Sequence, residues 1–239
     1  MSFDSTTAAL NYDKHAFAQK RSARELVEML PNEHIASFID IGAGTGIATI
    51  EVQKRFPDAT VTLLDRSREM LKIANSKIPR ANIISADAEM FDFSYKNFDL
   101  AIANLSVQWF KNFELFLEKI LTRTKYFAFS VPLKGSFDEY TDIFKDIEIP
   151  HMNLYTQNEL MHILRDNAEI ITTKQIMITK TYPNAMDATR HFRNIGATMP
   201  INTAMQSKIS AVLKSHKSPI TVCYEVFLCV AARQSLNKF

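Results

Sequence analysis

SFIDIGAGTGIATI, residues 37–50, joins a short apolar run to three alternating glycines and the start of a helical pattern. The 239-residue chain has only 5 Gly, and Gly42, Gly44 and Gly46 are three of them. Glycine lets a backbone turn sharply and approach a ligand closely. A strand, a glycine turn and a helix form the place where an open α/β sheet binds ligands, at the carboxyl ends of its strands. The stretch therefore predicts an α/β fold with a ligand site at residues 42–46.

Apolar runs and helical patterns alternate on both sides of this stretch. Five strands are predicted at 37–41, 60–65, 81–87, 98–105 and 126–132, and those at 81–87 and 98–105 are expected to be buried. Helices are predicted between them at 46–56, 68–78 and 112–123, the second capped by Ser67. Strands separated by helices indicate right-handed βαβ units and a parallel sheet covered on both faces.

The two ends of the chain add to this core. Residues 8–30 have apolar positions at helical spacing and predict an N-terminal helical arm that Pro31 ends. After Pro150 the pattern predicts a helix at 156–167 and a strand at 170–180. Helices at 184–194 and 203–215 and a strand at 219–231 follow. We expect one domain over 1–239, with a helical insertion before the last strand.

Composition and charge narrow the class of protein. Hydrophobic residues are 46% of the chain and charged residues 23%, which excludes a disordered chain. The net charge of +2 gives no overall basic field, so we expect no nucleic-acid partner. No secretory signal is visible, and the apolar runs are shorter than the ~20 residues of a membrane span. Cys223 and Cys229 lie about 20 Å apart in an extended strand, too far for a disulfide. A cytoplasmic protein with reduced thiols and no membrane partner is expected.

The spacing of the glycines and the position of an acid indicate the ligand. A dinucleotide fingerprint needs a sixth-position glycine, but Ile47 or Thr49 stands there, which argues against NAD and FAD. Asp65 closes the second predicted strand and can accept hydrogen bonds from both hydroxyls of a ribose. Asp65 alone could also be an acid that caps a turn. Together with the glycines it indicates a nucleoside cofactor.

These residues resemble the motifs of class I S-adenosylmethionine-dependent methyltransferases. DIGAGTG at 40–46 is similar to the first motif of that superfamily, and Asp65, Asp87-Ala88 and Asn104 follow in its order. The resemblance implies a Rossmann-like fold with a doubly wound, mostly parallel seven-stranded sheet. It also implies S-adenosyl-L-methionine as cofactor, held by Asp40, Gly42, Ala43, Gly44, Gly46, Asp65, Arg66, Asp87, Ala88 and Asn104.

A closer resemblance covers nearly the whole chain. The pieces AALNYDKHA (8–16), NLSVQW (104–109), LKGS (133–136), IGAT (195–198) and PITVCYEVFL (219–228) are similar to the malonyl-[acyl-carrier protein] O-methyltransferase family of biotin synthesis. The turn TRTKYF (122–127) departs from that family, in which many members have a Pro-x-Gly turn. The resemblance implies methylation of a malonyl carboxylate by a cytoplasmic enzyme. It divides the chain into a helical arm (1–31), a cofactor-binding core (35–132) and a substrate-side half (133–239) with a basic insertion (184–216).

The implied reaction needs neither a general base nor a metal. A carboxylate with a pKa near 4 is already ionised at pH 7, so we expect catalysis by alignment and by exclusion of water. The histidines and cysteines have no metal-ligand spacing, so no metal is expected. The candidate substrate contacts are Tyr12, His15, Gln108, Trp109 and Lys134. Tyr12 and His15 can instead pack the arm on the sheet, and Trp109 can instead be a core residue.

Gln19 or Arg24 is a candidate for the cofactor's carboxylate. Residues 170–220 contain seven Lys or Arg and one acid, Asp187. This basic surface is expected to attract an acidic acyl carrier protein carrying malonyl, although malonyl-coenzyme A remains an alternative donor. The insertion can also be simply solvated. Two other functions remain open: methylation of another small acidic substrate, and a cofactor-binding assembly factor or hydroxylating relative.

Overall fold

The computed structural model describes residues 12–145, 154–197 and 203–234, and it gives no side-chain surroundings for residues 203 and 204. Seven strands form one sheet in the order β3-β2-β1-β4-β5-β7-β6. The strands are β1 (Ser37–Ile41), β2 (Thr60–Asp65), β3 (Asn82–Ser85), β4 (Phe98–Asn104), β5 (Thr124–Pro132), β6 (Glu169–Tyr182) and β7 (Ile220–Ala232). Strands β1 to β5 are parallel, and β7 is antiparallel to both β5 and β6.

Helices connect the strands on both faces of the sheet. They are α1 (Phe17–Glu28), α2 (Ile47–Arg55), α3 (Arg68–Lys77), α4 (Phe113–Leu121), α5 (Asp138–Asp142), α6 (Gln157–Asn167), α7 (Ala185–Asn194) and α8 (Thr203–Ser215). Ser67 caps α3 as predicted, since its Oγ accepts from the backbone N–H of Met70. The short helix α5 was not predicted. The doubly wound, mostly parallel seven-stranded sheet expected from the sequence is confirmed.

Each face of the sheet has its own apolar core. One core packs α1, α2, α3 and α7 against inward side chains such as Phe38 and Leu100. The other packs α4 and α6 against aromatic residues that include Phe127 and Phe129. The alternating side chains of each strand supply both faces, which explains why the central strands are apolar along their whole length.

The edge strand β3 corrects one expectation. A buried strand was predicted at 81–87, but β3 is shorter and mostly exposed, with Ile83 41% exposed. Its one neighbour in the sheet is β2, because β3 ends the strand order. An apolar run alone does not distinguish an edge strand from a central one. The buried strand predicted at 98–105 is confirmed by β4.

The hairpin of β6 and β7 positions the insertion. Because β7 runs antiparallel to both neighbours, β6 ends at the same edge of the sheet as β4 and β5. The insertion, with α7 and α8, therefore begins at the carboxyl edge, as expected. Residues 198–202 of the insertion, including Thr198 of IGAT, lie outside the described residues, as do residues 1–11 of the arm. The arm is described from a helical turn at 12–15 through α1.

Cys223 and Cys229 are both free. In the described part of the chain, no helix has the length and apolar character needed to cross a membrane.

Candidate active site

The glycine loop at 42–46 makes a tight turn between β1 and α2. Gly42, Gly44 and Gly46 all have positive φ angles, of 68°, 54° and 83°. The backbone N–H groups of Gly42 and Ala43 donate to the carbonyl of Leu64, at 2.8 and 3.1 Å. A Cβ on Gly42 would lie 2.6 Å from the Cβ of Ser106, so glycine is required for the loop to pack against the segment that follows β4. The loop lies where the strand order reverses, between β1 and β4.

Asp65 lies beside this loop at the end of β2. Its Oδ2 accepts from the backbone N–H of Gly44 at 2.8 Å, and its Oδ1 accepts from that of Ser67 at 2.7 Å. Burial raises the pKa of the Asp65 carboxyl, and the two backbone hydrogen bonds oppose that effect. The predicted acid therefore joins the predicted glycine loop. Arg66, the next residue, is exposed.

Asp40 is placed differently from the other candidates in this group. It is 1% exposed, and its Oδ2 accepts from the backbone N–H of Thr49 at 3.1 Å and from the Thr49 hydroxyl at 2.5 Å. Burial raises the pKa of Asp40 to about 7. The side chain thus holds the first turn of α2 under the glycine loop, and both contacts are internal to the protein.

Asn104 joins the end of β4 to the arm. Its Oδ1 accepts from the hydroxyls of Ser22 and Ser130, at 2.7 and 2.8 Å, and its Nδ2 donates to the carbonyl of Gln19 at 3.0 Å. The Oε1 of Gln19 is buried and has no hydrogen-bond partner in the described residues. The amide of Asn104 is therefore fixed by α1 and β5, and the residue whose backbone carbonyl it bonds also has an unpartnered side-chain acceptor.

The turn that precedes α1 is bound to the glycine loop. The carboxylate of Asp13 accepts from the Thr45 hydroxyl at 2.6 Å and from the Lys77 ammonium at 2.5 Å. Lys77 also donates to the carbonyl of Thr45 at 2.8 Å. Tyr12 is half-buried, and burial together with the charges of Asp65 and Asp13 raises its pKa. The arm thus brings Tyr12 close to the acid at the end of β2.

The predicted residues after β3 and β4 lie at the same edge of the sheet. Asp87 is exposed and its Oδ1 accepts from the backbone N–H of Glu89, while Ala88 is buried. Gln108 donates to the carbonyl of Leu105 at 2.7 Å, and its Oε1 is buried without a partner in the described residues. Trp109 is 38% exposed, so packing in the core does not account for it.

The remaining predicted residues are less closely grouped. The Nε2 of His15 lies 3.1 Å from the Nδ2 of Asn194, so this residue joins the arm to the end of α7. Lys134 is exposed just after β5. Arg24 is exposed on α1, and its Nε lies 3.8 Å from the carboxylate of Glu51.

A cluster of aromatic residues was missed by the sequence analysis. The His191 ring contacts the rings of Phe17, Tyr182 and Tyr224, and its Nε2 lies 2.9 Å from the hydroxyl of Tyr224. Their segments are the arm, the end of β6, α7 and the start of β7. No local motif joins these segments, so pattern and spacing gave no signal for the cluster.

The donors and acceptors of the site fit an organic ligand. Backbone N–H groups and a carboxylate suit the hydroxyls of a nucleoside, and the unpartnered Oε1 atoms of Gln19 and Gln108 suit a ligand that brings N–H donors. In the described ranges, no group of three or more His, Cys, Asp or Glu side chains is arranged to hold a metal ion.

Comparisons with known proteins agree with this architecture. A family model described as a methyltransferase domain matches residues 38–125. The chain is 27% identical over 230 residues to malonyl-[acyl-carrier protein] O-methyltransferase 2 of Coxiella burnetii, covering 93% of this chain and 91% of that protein. It is 30% identical over 196 residues to malonyl-[acyl-carrier protein] O-methyltransferase of Salmonella typhimurium, covering 80% of this chain and 76% of that protein.

Solved structures share the fold at low sequence identity. The YcgJ protein of Bacillus subtilis has a TM-score of 0.63 at 14% identity, with 90% of this chain and 99% of that chain covered. The plantazolicin methyltransferase BpumL, solved with S-adenosylhomocysteine, has a TM-score of 0.54 at 19% identity, with 97% of this chain and 91% of that chain covered.

Proposed function

Because the chain belongs to the malonyl-[acyl-carrier protein] O-methyltransferase family, we propose that it transfers a methyl group from S-adenosylmethionine to the free carboxylate of a malonyl thioester. One observation carries the choice of substrate. The similarity to a relative of that name extends over 93% of the chain, well beyond the methyltransferase core at 38–125. It therefore includes the arm and the β6–β7 hairpin, the parts that would form the substrate side.

The cofactor would lie across the glycine loop. In this proposal Gly42, Ala43, Gly44 and Gly46 let the backbone approach it, and Asp65 accepts from its ribose hydroxyls. Asp87 and Ala88 would lie beside the adenine, and Asn104 would lie at the methionine portion. Gln19 was expected to bind the carboxylate of that portion, but its unpartnered Oε1 is an acceptor and suits the ammonium group instead. Asp40 has a positioning role, because its contacts with Thr49 hold α2 beneath the loop. The proposal gives Arg24 no contact with the cofactor's carboxylate, because its guanidinium lies near the carboxylate of Glu51.

The proposed methyl transfer requires the protein mainly to align the reacting atoms. When bound, the cofactor supplies a methyl group on a positively charged sulfur. A carboxylate oxygen forms a bond to the methyl carbon as the carbon–sulfur bond breaks, and the electron pair of that bond stays on sulfur. No proton moves, so no general base is required. The protein must hold oxygen, carbon and sulfur in line and keep water away from the nucleophile.

The arm and the segment after β4 would exclude that water. Tyr12 and His15 lie on the turn that Asp13 binds to the glycine loop, so they would cover the substrate side. Gln108 and Trp109 follow Asn104 at the carboxyl edge, and Lys134 follows β5. We assign these five side chains to the walls of the substrate site. The division into a core at 35–132 and a substrate-side half at 133–239 belongs to the same proposal.

An acidic carrier protein would dock on the basic insertion. Arg190 and Arg193 are both exposed on α7, Lys208 and Lys214 are exposed further along the insertion, and Lys217 is exposed just after it. Asp187 pairs with Arg190 at 2.5 Å, whereas Arg193 has no acidic partner in the described residues. Opposite charges at such a surface speed association at moderate salt.

Release of S-adenosylhomocysteine tests the reaction. We expect product from S-adenosylmethionine with malonyl-coenzyme A or malonyl-carrier protein, and none above background with the methyl ester of malonyl-coenzyme A, which has no free carboxylate. Succinyl-coenzyme A is the control for acid chain length. Equal turnover of malonyl and succinyl substrates would favour a methyltransferase for small acids in general. No turnover with any of them would contradict the proposal.

A further inference from the structure

Three polar side chains are buried among aromatic rings between the β6–β7 hairpin, α7 and the arm. Tyr182, His191 and Tyr224 are 8%, 2% and 3% exposed. The rings of Tyr182 and His191 have centroids 5.4 Å apart, and His191 Nε2 lies 2.9 Å from the hydroxyl of Tyr224. We call these three residues the phenol–histidine cluster. They lie on the side of the carboxyl edge where the substrate is expected.

Two polar atoms of the cluster have no hydrogen-bond partner in the part of the chain that the structure describes. The Tyr182 hydroxyl and the His191 Nδ1 are buried, and neither makes a hydrogen bond with any described residue. A buried polar group without a partner costs about 1–3 kcal/mol, and native proteins pair nearly all such groups. Two of them in one cluster indicate that a bound molecule supplies the partners.

The cluster offers two neutral hydrogen-bond donors. Burial and the nearby Lys180 and His15 lower the pKa of His191 to about 4, so the ring is neutral at pH 7. If Nδ1 carries the proton, it is a free donor; if Nε2 carries it, Tyr224 accepts and its own O–H is free. Either tautomer leaves one donor, and the Tyr182 O–H is the second. Two donors match the two oxygens of a carboxylate.

The charge around the cluster favours an anion. The Lys180 ammonium lies 5.1 Å from the ring centroid of Phe17 and 5.3 Å from that of Tyr182. Lys180 has no acidic partner among the described residues, and the cluster itself contains no carboxylate. A second cation would be repelled by Lys180, whereas an anion would be attracted. Neutral donors also leave each carboxylate oxygen a lone pair with which to attack.

The cluster is close to the residues assigned to the cofactor. The Phe17 ring contacts His191 and Tyr224, with centroids 5.1 and 5.7 Å apart. The backbone carbonyl of Gln19, two residues further along the same helix, accepts from Asn104 at the end of β4. The first turn of α1 therefore touches both the cluster and the site proposed for the methionine portion of the cofactor.

We propose that Tyr182, His191 and Tyr224 bind the free carboxylate of the acyl substrate and select it over its methyl ester. This inference rests on the proposed function for the identity of the acyl group. The unpartnered atoms have no solvent exposure, so the arm and α7 must separate for the acyl group to enter. The contact of His15 with Asn194 and the packing of the Phe17 ring on His191 would both have to open.

Ligand affinities in the presence of S-adenosylhomocysteine test the proposal without turnover. Calorimetry gives the dissociation constants of malonyl-coenzyme A and of its methyl ester for the wild type, Tyr182→Phe and His191→Gln. Tyr95→Phe is the matched control, because Tyr95 is 54% exposed and precedes β4 at the opposite edge of the sheet. We expect the wild type and Tyr95→Phe to prefer the malonyl form. Tyr182→Phe should reduce that preference about tenfold or more, as expected for a lost charge-assisted hydrogen bond.

Three results would overturn the proposal: no wild-type preference for the malonyl form, a full preference in Tyr182→Phe, or equal loss in Tyr95→Phe. The thermal midpoint supplies a second readout. Because the Tyr182 hydroxyl makes no hydrogen bond with any described residue, Tyr182→Phe should not lower the midpoint, and a loss of several degrees would contradict the premise. If His191→Gln does not fold, the preference measured for Tyr182→Phe still tests the proposal. A wild type that prefers the malonyl form but transfers no methyl group would contradict the proposed function alone.

Discussion

Alanine at Gly44 should separate cofactor binding from protein stability. Gly44 has a φ angle of 54°, and a Cβ built there meets no atom closer than the Gly42 carbonyl oxygen, at 4.0 Å. The left-handed backbone costs alanine ~1–2 kcal/mol, and the stiffer unfolded chain returns part of that. We therefore expect Gly44→Ala to lower the free energy of unfolding by only about 1 kcal/mol.

Gly42→Ala is the matched comparison, with a different expected result. Its φ angle of 68° carries a similar backbone cost, but the new Cβ would lie 2.6 Å from the Cβ of Ser106. Carbon atoms pack at about 3.5–4.0 Å, so the loop or the segment after β4 must move by roughly 1 Å. Overpacking of this kind costs ~1–3 kcal/mol in addition, giving a total of about 2–4 kcal/mol.

Cofactor affinity should show the opposite order. Relative to its loss of stability, Gly44→Ala should lose more cofactor affinity than Gly42→Ala. If the ligand lies against the loop, the open space at Gly44 is space that the ligand occupies. Gly44→Ala should then weaken S-adenosylhomocysteine binding by tenfold or more while the protein stays folded. Urea unfolding and calorimetry measure the two quantities. The reasoning fails if Gly44→Ala binds S-adenosylhomocysteine like the wild type, or if it destabilises the protein as much as Gly42→Ala.

Three further predictions concern the arm, a buried acid and the docking surface. Asn104→Ala removes three hydrogen bonds and should destabilise the protein by about 1–3 kcal/mol in urea unfolding. Ser22→Ala removes the bond to Asn104 and a longer bond to the carbonyl of Gln19, and it should cost about 1 kcal/mol. Folded Asp40 keeps its proton up to a pKa of about 7 whereas the unfolded chain releases it near 4, so its contribution to stability falls as pH rises from 4 through 7. Asp40→Asn, compared with the wild type from pH 4.5 to 8, should lack that fall; parallel curves would contradict the burial argument. Reversing Arg190 and Arg193 to Glu should raise the KM for malonyl-carrier protein but not for malonyl-coenzyme A. The control, Arg165→Glu at an exposed position of α6, should change neither KM. Equal effects of the α7 reversals on both substrates would exclude docking on α7.

The core of the fold was predictable from local patterns. Each βα unit brings its own apolar strand, turn residue and amphipathic helix, so the glycine loop, Ser67 and β4 lie where expected. The exposure of β3 was not predictable in this way, since it depends on which strand ends the sheet. That order results from packing across the whole chain.

The site was predictable only where consecutive parallel strands determine it. Asp65 meets the glycine loop because both follow neighbouring parallel strands, and this relation can be read from the sequence. The network around Asn104 joins it to Ser22 and Gln19, which lie 82 and 85 positions earlier in the chain. The phenol–histidine cluster likewise depends on the antiparallel pairing of β6 with β7. Sequence spacing says little about contacts that the tertiary fold creates.

The most direct test of the account is the intact mass of malonyl-carrier protein after incubation with the wild-type enzyme and S-adenosylmethionine. Transfer to the free carboxylate replaces its proton by a methyl group, so the carrier protein should gain the mass of one CH₂, and alkaline hydrolysis of the ester should remove that gain. Gly44→Ala, folded but weak in cofactor binding, should give little product under the same conditions. An unchanged mass with the wild-type enzyme would contradict the central claim.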